Sequence, residues 1–260
     1  MPVVEVEVEH VFEALGITKH FGGVIALDNV DLKLRRGEIL AVVGDNGAGK
    51  STLIRAITGA TRPDAGSILF EGRPVAIRSP ADAKRLGIET VYQDLALIAS
   101  LSVTKNVFLG RELALLSIFG RLFGALDFAR MNNEVRALFQ RLHIPINDLY
   151  REAGAFSGGQ RQAVALSKTV MFGKRVAVLD EPTAALGVKE AHNAMTLVKS
   201  LKDHGLSVIM ITHNMRHVLD YCDRVMVLRL GRVVAVRDVK GLTGDNLVAL
   251  ITGANEATAA

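Results

Sequence analysis

The sequence contains only one cysteine, Cys222, so no disulfide can form within the chain. This excludes the small secreted proteins that depend on several disulfides, and it predicts a reducing, cytoplasmic location. Residues Met1 to Glu7 alternate apolar and acidic side chains and do not resemble a signal peptide. The most apolar stretch, Leu113 to Leu126, contains Arg121 and is shorter than the ~20 apolar residues that span a bilayer. Any role at a membrane is therefore predicted to be peripheral.

The sequence also lacks a concentrated run of charge of one sign. Its 31 lysine and arginine residues are interspersed with 27 aspartate and glutamate residues, which gives a net charge of +4. A nucleic-acid-binding surface needs clustered basic residues, so nucleic acid is not predicted as a partner. No internal repeat is present, and low complexity is confined to the alanine- and threonine-rich end. With 260 residues and 49% hydrophobic content, the chain can instead bury a sizeable core.

A glycine-rich segment between a predicted strand and a predicted helix carries the clearest chemical signal. The apolar run Ile39 to Val43 precedes it, and Leu53 to Ile57 follows it. Glycines allow backbone N–H groups to turn inward around phosphates, Lys50 can reach the β and γ oxygens, and the Ser51 hydroxyl can bind Mg²⁺. The predicted ligand is a nucleoside triphosphate, and an ordinary glycine-rich turn is the alternative. The segment consists of Gly44, Asp45, Asn46, Gly47, Ala48, Gly49, Lys50, Ser51 and Thr52.

Several short apolar runs predict a parallel β-sheet beside this segment. Thr90 to Tyr92, Val176 to Leu179 and Val208 to Ile211 each lead into polar residues, as buried parallel strands do at their carboxyl ends. Ligands collect at those ends in open α/β sheets. Strand and turn signals before Ile77 predict an antiparallel hairpin, whereas Ser102 to Met171 show helical spacing. The sequence therefore predicts an α/β core with a helical insertion.

Two carboxylates follow the apolar run Val176 to Leu179. Asp180 can hold hydrated Mg²⁺, and Glu181 can orient or deprotonate a water for in-line attack on the γ-phosphate. An acidic pair after a strand can also be a solvated strand end. The phosphate loop upstream favours the catalytic interpretation.

A second predicted helix start has the features of an anion-binding site. Ser157 precedes a helical pattern and can cap it, and Gln160 stands three residues later. Gly158 and Gly159 leave the first backbone N–H groups of the helix accessible. The alternative is a well-capped helix without a ligand. Together with a complete phosphate loop, this segment predicts a protein with two half-sites.

These three segments resemble the motifs of ATP-binding cassette (ABC) transporter ATPases. Gly44 to Thr52 resembles the Walker A loop, Phe156 to Gln160 resembles the signature, and Val176 to Glu181 resembles Walker B. The similarity covers nearly the whole chain. The resemblance implies an α/β P-loop NTPase (RecA-like) core with a mainly parallel sheet, an antiparallel β subdomain and an inserted α-helical signature subdomain. It also implies ATP and Mg²⁺ as ligands. A head-to-tail dimer with a second, identical ABC ATPase subunit is expected, and monomers should hydrolyse ATP poorly.

The same resemblance divides the single ABC ATPase domain, residues 1–260, into three parts. The predicted catalytic core with its β subdomain comprises residues from about 10 to 92 and from about 172 to 238. Residues of about 93–171 form the helical subdomain, and 239–260 form a C-terminal tail. No further domain is predicted.

The resemblance also assigns roles to three further residues. Phe21 matches the aromatic residue that stacks on adenine, and a half-buried strand position is the alternative. Gln93 matches the Q-loop glutamine that contacts Mg²⁺ or the attacking water and senses the transmembrane partner; otherwise it is a surface amide. His213 matches the switch histidine that contacts the γ-phosphate. His213 and His217 could alternatively share a metal, but no third nearby ligand completes a zinc site.

The chain departs from the family pattern at two positions. Gly187 ends the segment after Walker B, where aspartate is common, and removes a side chain that normally helps to couple the two nucleotide sites. Communication between the sites is therefore expected to differ, while binding is retained. Phe156 replaces the usual leucine at the start of the signature, an apolar exchange that should alter packing only modestly.

The type of transporter is also inferred from resemblance. Lacking membrane helices, the chain resembles a separate importer subunit at the cytoplasmic face of the inner membrane. Integral-membrane permease subunits and, indirectly, a solute-binding protein are the implied partners. Val91 to Leu97 and Glu181 to Glu190 resemble monosaccharide importers of the ribose, xylose and fructose type, and the sugar itself is not encoded. The alternatives are import of a non-sugar solute, a soluble ABC ATPase acting on ribosomes or DNA, and a regulatory module without turnover.

Overall fold

The computed structural model describes residues 9–115 and 125–254. Three predictions fall on residues outside this range: the lack of a signal peptide at Met1 to Glu7, the middle of the apolar stretch Leu113 to Leu126, and the alanine- and threonine-rich end. Within the described residues, no helix combines the length and the apolar character that crossing a membrane requires.

The described chain forms two compact units. The first unit contains residues 9–90, 173–182 and 201–254, and the second contains residues 91–115, 125–172 and 183–200. The second unit includes most of the predicted helical subdomain together with the segment 183–200, which follows Walker B in the sequence.

An antiparallel sheet of four strands forms one part of the first unit. Its strands are β1 (His10–Phe21), β2 (Val24–Arg35), β4 (Ala65–Phe70) and β5 (Arg73–Val75), in the order β2-β1-β4-β5. Along the second half of β2, the buried residues Val30, Leu32 and Leu34 alternate with exposed ones. This period of two is the pattern of a sheet with one buried and one solvated face.

A six-stranded sheet forms the other part. Its strands are β3 (Ile39–Val43), β6 (Ile88–Val91), β7 (Val176–Asp180), β8 (Ser207–Ile211), β9 (Arg224–Arg229) and β10 (Arg232–Asp238). The order is β10-β9-β3-β8-β7-β6; β3 is parallel to β8 and β9, β7 is parallel to β8, and β10 is antiparallel to β9. Every residue of β3 and β8 is buried, which explains why Ile39 to Val43 and Val208 to Ile211 are continuous apolar runs.

Both units contain helices. The first unit contains α1 (Lys50–Ile57), α2 (Pro80–Arg85), α7 (Met215–Tyr221) and α8 (Gly244–Thr252). The second contains α3 (Val103–Phe108), α4 (Phe128–Arg141), α5 (Gly158–Phe172) and most of α6 (Val188–Asp203), with a short 3₁₀ helix at Ala153–Ala155. In the second unit, the rings of Phe108 in α3 and Phe172 in α5 pack edge to face, with 5.5 Å between their centroids. This contact joins α3 to α5.

Two details of the sequence interpretation are settled by the fold. The predicted strand Thr90 to Tyr92 is displaced: β6 begins at Ile88 and ends at Val91, because Glu89 is only 6% exposed and continues the strand despite its charge. Cys222 is buried, as predicted for a core residue. Burial, with a smaller contribution from Asp223, raises the pKa of its thiol to about 12.

Candidate functional site

The glycine-rich segment lies between β3 and α1 in the first unit. Lys50, the first residue of α1, donates hydrogen bonds from Nζ to the carbonyl oxygens of Gly44 at 2.7 Å and Asp45 at 2.9 Å. Gly49 occupies the N-cap position, and no side chain caps the start of α1. The ammonium group and the first N–H donors of the helix therefore meet where the triphosphate is predicted to bind.

Two glycines of this loop are required because other backbone segments approach them closely. Gly44 has a φ of 150°, and a Cβ there would lie 2.1 Å from the carbonyl oxygen of Leu228 in β9. Gly49 has a φ of 103°, and its Cβ would lie 2.6 Å from the carbonyl oxygen of Ala26 in β2. Any side chain at either position would push the loop away from these strands.

A second turn supports the phosphate loop, and the sequence did not reveal this contact. Gly231, between β9 and β10, donates from its N–H to the Ala48 carbonyl oxygen at 3.1 Å and accepts from the Asp28 N–H at 2.8 Å. Arg232 Nε donates to Asp28 Oδ2 at 2.9 Å. The sequence marks this glycine only as part of a hairpin, since a contact between distant segments has no local signature.

Asp180 and Glu181 lie at the carboxyl end of β7. Asp180 Oδ1 is buried and accepts no hydrogen bond from the described residues. Burial, followed by repulsion from Glu181, raises the pKa of Asp180, while Arg55 and Lys50 act in the opposite direction. A buried carboxylate oxygen without a donor suits a cation, so this side chain fits a Mg²⁺ ligand.

Glu181 has a φ of 52°, a left-handed conformation that is uncommon for a residue with a side chain. Its N–H donates to the carbonyl oxygen of Ile211 in β8 at 3.0 Å. His213 follows β8, and its Nδ1 lies 2.9 Å from Glu181 Oε2. The glutamate side chain is 14% exposed and that of His213 is 75% exposed, so the imidazole is accessible to a ligand. Backbone strain of this kind concentrates at functional sites.

Residues at the start of α7 hold His217, the histidine four residues after His213. Asn214 Oδ1 caps this helix by accepting from the N–H groups of Arg216 at 3.1 Å and His217 at 3.3 Å. His217 Nε2 lies 3.4 Å from Asn214 Nδ2, and burial lowers the pKa of His217 against the opposing influence of Asp220. One ring nitrogen is thus engaged by an amide. No three His, Cys, Asp or Glu side chains cluster as metal ligands in the part of the chain that the structure describes.

Phe21 lies at the tip of the hairpin formed by β1 and β2, paired with Val24. Its side chain is 52% exposed, and Val24 and Ile25 beside it are also exposed. Lys19 Nζ lies 5.5 Å from the centroid of the ring. Phe21 is the last residue of β1, so the half-buried strand position considered as the alternative also describes it, and its exposed part leaves a ring face accessible for stacking.

The signature residues begin α5 in the second unit. Ser157 Oγ accepts from the Gln160 N–H at 3.3 Å, and the Ser157 N–H donates to Gln160 Oε1 at 3.0 Å. The predicted cap by Ser157 is therefore present. It is one half of a reciprocal capping box, which explains why serine and glutamine stand three residues apart.

Gln93 is exposed in the second unit, two residues beyond the end of β6. Leu95 and Ala96, which follow it, have φ values of 59° and 46°. Two successive left-handed residues with side chains mark a strained loop, which the sequence did not reveal because neither residue type favours this conformation. The first unit contains Lys50, Asp180, Glu181 and His213, and the second contains Gln93 and the signature residues.

A protein-family model described as ABC transporter matches residues 27–184, more than half of the chain. The chain belongs to the ABC transporter family. The match includes the phosphate loop, the signature and the acidic pair after β7, so the chain is an ATPase of the ABC family.

Two relatives and one solved structure agree with the assignment to the ABC ATPases. The chain is 47% identical to the fructose import ATP-binding protein FrcA of Rhizobium meliloti, over 95% of this chain and 96% of that protein. It is 45% identical to the xylose/arabinose import ATP-binding protein XylG of Sulfolobus acidocaldarius, over 85% and 86% of the two chains. A crystal structure of a nucleotide-free ATP-binding cassette from an ABC transporter matches with a TM-score of 0.77 and 27% identity, over 94% of this chain and 95% of that one. The predicted family resemblance and the predicted α/β fold class are confirmed.

Proposed function

We propose that this chain is the ATP-hydrolysing subunit of a membrane importer for a monosaccharide. The observation that carries the proposal is the Glu181–His213 pair, 2.9 Å apart, which lies at the ends of two parallel strands in the unit that contains the complete phosphate loop. The sugar class rests on the similarity to FrcA and XylG, whose names state fructose and xylose/arabinose import.

ATP binds to the first unit through the backbone N–H groups of the phosphate loop and the ammonium group of Lys50. Lys50 exchanges the carbonyl oxygens of Gly44 and Asp45 for β and γ phosphate oxygens, which bind an ammonium group more strongly because they are charged. The adenine stacks on the exposed ring of Phe21.

Glu181 is the general base for the water that attacks the γ-phosphate. The left-handed backbone at this residue fixes the direction in which its side chain leaves β7. His213 Nδ1 lies beside the Glu181 carboxylate, and the exposed imidazole is able to donate to a γ-phosphate oxygen on which negative charge develops.

Mg²⁺ would be held by Asp180 and Ser51 of the first unit, whose oxygen atoms are of the type that this ion prefers. The buried Asp180 Oδ1, which lacks a hydrogen-bond donor among the described residues, fits this role. When bound, the ion supplies positive charge that offsets the negative charge of the phosphates.

The proposed active assembly is a head-to-tail dimer with a second, identical ABC ATPase subunit. The capped start of α5 in one subunit, with Ser157, Gly158, Gly159 and Gln160, completes the nucleotide site of the other, and its helix dipole favours the γ-phosphate. Closure on ATP moves integral-membrane permease subunits, which Gln93 senses, at the cytoplasmic face of the inner membrane. A solute-binding protein takes part indirectly.

The test of this function replaces Glu181 with glutamine, which keeps the size of the side chain and removes the base. The purified variant is expected to bind ATP with the parent affinity and to release phosphate at least about 100-fold more slowly. It should also accumulate as an ATP-bound dimer in size-exclusion chromatography. The control is Glu134→Gln on α4, a surface residue outside the site, which should keep the parent rate. Hydrolysis by Glu181→Gln at the parent rate would refute the base assignment.

The sugar class is tested by transport. Vesicles that contain the cognate permease and this chain are supplied with a panel of labelled monosaccharides, and ATP-dependent uptake of at least one of them is expected. If no sugar is taken up, the carbohydrate assignment is withdrawn and the ATPase assignment stands.

A further inference from the structure

His213 stands at the centre of a turn that connects β8 to α7. Thr212 Oγ1 accepts from the Asn214 N–H at 3.1 Å, and this hydrogen bond closes the turn around the histidine. A hydroxyl that binds the backbone N–H two residues ahead stabilises a turn much as a backbone hydrogen bond does. Thr212 is 1% exposed, so the surrounding core holds the side chain that closes the turn.

The far end of the turn is fixed to α7 by Asn214. Its Oδ1 accepts from the N–H groups of Arg216 and His217, and its carbonyl oxygen accepts from the Val218 N–H at 3.3 Å. The side chain and the backbone of Asn214 thus both satisfy N–H groups at the start of the helix. Any movement of Asn214 would break these hydrogen bonds, so the helix holds this end of the turn in place.

The near end of the turn is fixed to the strand that also holds Glu181. The carbonyl oxygen of Ile211, the last residue of β8, accepts from the Glu181 N–H at 3.0 Å, and Thr212 follows Ile211 directly. The backbone of Glu181 and the turn that carries His213 are therefore anchored at consecutive residues. The His213 side chain is 75% exposed, so packing contributes little to its position, and the turn places Nδ1 2.9 Å from Glu181 Oε2.

We propose that Thr212 and Asn214 are positioning residues for ATP hydrolysis, which hold His213 beside Glu181 by closing and anchoring this turn. The inference rests on the proposed function, in which Glu181 is the base and His213 donates to the γ-phosphate. Both residues act through His213 and have no role of their own in holding the nucleotide. Their loss should therefore lower kcat more than it changes KM, because small displacements of reacting groups slow the chemical step.

The first experiment removes the hydroxyl that closes the turn and measures phosphate release as a function of ATP concentration. Thr212→Val keeps the branched shape of the side chain, so the core stays filled while the hydroxyl is lost. We expect kcat to fall about tenfold and KM to change less than about twofold. Thr212→Ser keeps the hydroxyl and should retain at least about half of the parent kcat.

A second pair of variants tests the other end of the turn. Asn214→Asp keeps an oxygen that can cap α7 and should retain at least about half of the parent kcat. Asn214→Ala removes the cap, and its kcat should fall about as far as that of Thr212→Val, with KM again nearly unchanged.

The matched control removes a threonine hydroxyl elsewhere in the first unit. Thr243 Oγ1 accepts from the Asn246 N–H at 3.2 Å at the start of α8, and Thr243 belongs neither to the turn nor to the site. Thr243→Val should lower the melting temperature and keep the parent kcat. The comparison separates a loss of stability from a loss of position.

A double-variant cycle tests whether Thr212 acts through His213. His213→Ala removes the imidazole, and its low rate is measured in single turnovers with protein in excess over radiolabelled ATP. Adding Thr212→Val to His213→Ala should slow hydrolysis by less than about twofold, since no imidazole is left to position. A further loss of about tenfold in this background would show a purely structural role for Thr212.

A spectroscopic measurement separates this inference from the proposed function, because it requires neither nucleotide nor hydrolysis. The ¹⁵N resonance of His213 Nδ1 is identified by its absence from His213→Ala. In the parent, Glu181→Gln should shift this resonance, since the carboxylate lies 2.9 Å away. In the Thr212→Val background the same change should leave it nearly unaltered. The resonances of His143, in the second unit, should not move in any variant.

Two outcomes would overturn the inference alone: a Thr212→Val variant with the parent kcat, or an equal effect of Glu181→Gln on the His213 resonance in both backgrounds. Loss of activity by Thr212→Ser as large as that by Thr212→Val would show that the hydroxyl is not the positioning group. Hydrolysis by Glu181→Gln at the parent rate would instead overturn the proposed function, and the role of the turn in hydrolysis with it.

Discussion

Asp180 destabilises the folded chain while it provides the proposed metal ligand. Its Oδ1 is buried without a hydrogen bond from the described residues, and burial, with repulsion from Glu181, raises its pKa. A carboxyl group whose pKa is higher in the folded state than in the unfolded state lowers stability at every pH above the folded pKa. This effect fades as the pH falls from the folded pKa to the unfolded one. Function and stability therefore oppose each other at this residue.

Asp180→Asn should accordingly stabilise the chain in the absence of nucleotide and Mg²⁺. We expect its melting temperature to exceed the parent's by about 2 °C at pH 8 and the difference to shrink towards pH ~4. The same variant should hydrolyse no ATP, because it loses a charged ligand for Mg²⁺. Asp203→Asn, at an exposed position of α6, is the control and should melt with the parent at both pH values. A lower melting temperature for Asp180→Asn at pH 8 would contradict the argument.

At the scale of the element, one buried amide fixes the loop before α3. Asn106 is fully buried, and its Oδ1 accepts from the Ile98 N–H at 2.8 Å. Its Nδ2 donates to the carbonyl oxygens of Ile98 at 3.0 Å, Leu101 at 3.0 Å and Ser102 at 3.2 Å. The loop belongs to no strand or helix, and this side chain adds to the hydrogen bonds that its backbone makes with itself and with Ala153.

Asn106→Ala should therefore destabilise the chain strongly. It removes the acceptor of the Ile98 N–H, whereas the carbonyl oxygens of Ile98, Leu101 and Ser102 keep their backbone donors. An unpaired backbone donor costs about 1–3 kcal/mol, so we expect the free energy of unfolding to fall by about 2 kcal/mol. Urea unfolding followed by circular dichroism measures this change. Asn193→Ala, at an exposed position of α6, should change it by less than about 0.5 kcal/mol. A loss below about 1 kcal/mol for Asn106→Ala would argue against the amide as the main anchor of the loop.

Elements were predicted from the sequence more successfully than the contacts between them. Apolar runs located β7 and β8 to within one residue, because strands buried on both faces leave continuous apolar sequence. The predicted bounds of β6 were displaced, since the buried Glu89 interrupts the apolar run in this strand. The support that Gly231 gives to the phosphate loop and the left-handed backbone at Glu181 left no periodic signal, so only the fold revealed them.

The residues of the candidate site also differ in how far the sequence alone predicts them. Its phosphate loop and acidic pair could be predicted from residue spacing, because phosphate and metal chemistry demand that spacing. Phe21, Gln93 and His213 came from family resemblance alone, since a single aromatic, amide or imidazole side chain has no local signature.

At the scale of the whole molecule, the proposed site requires two copies of the chain. Lys50 and Glu181 belong to the first unit, and Ser157 belongs to the second. Two chains related by a two-fold axis would form two equivalent sites, each from the first unit of one copy and the second unit of the other. Defects in the two halves can therefore be placed on different chains and combined in a mixed dimer.

Lys50→Ala and Ser157→Arg chains should each be inactive alone and regain activity when they are mixed. In a mixed dimer, one site combines intact Lys50 with intact Ser157, whereas the other carries both defects. An equal mixture should release phosphate at about one quarter of the parent rate, because about half of the dimers are mixed and each has one intact site of two. Mixing Lys50→Ala with Glu181→Gln is the matched control, since both defects lie in the same half and no intact site can form. If the first mixture remains as inactive as the control, the signature serves the nucleotide of its own subunit.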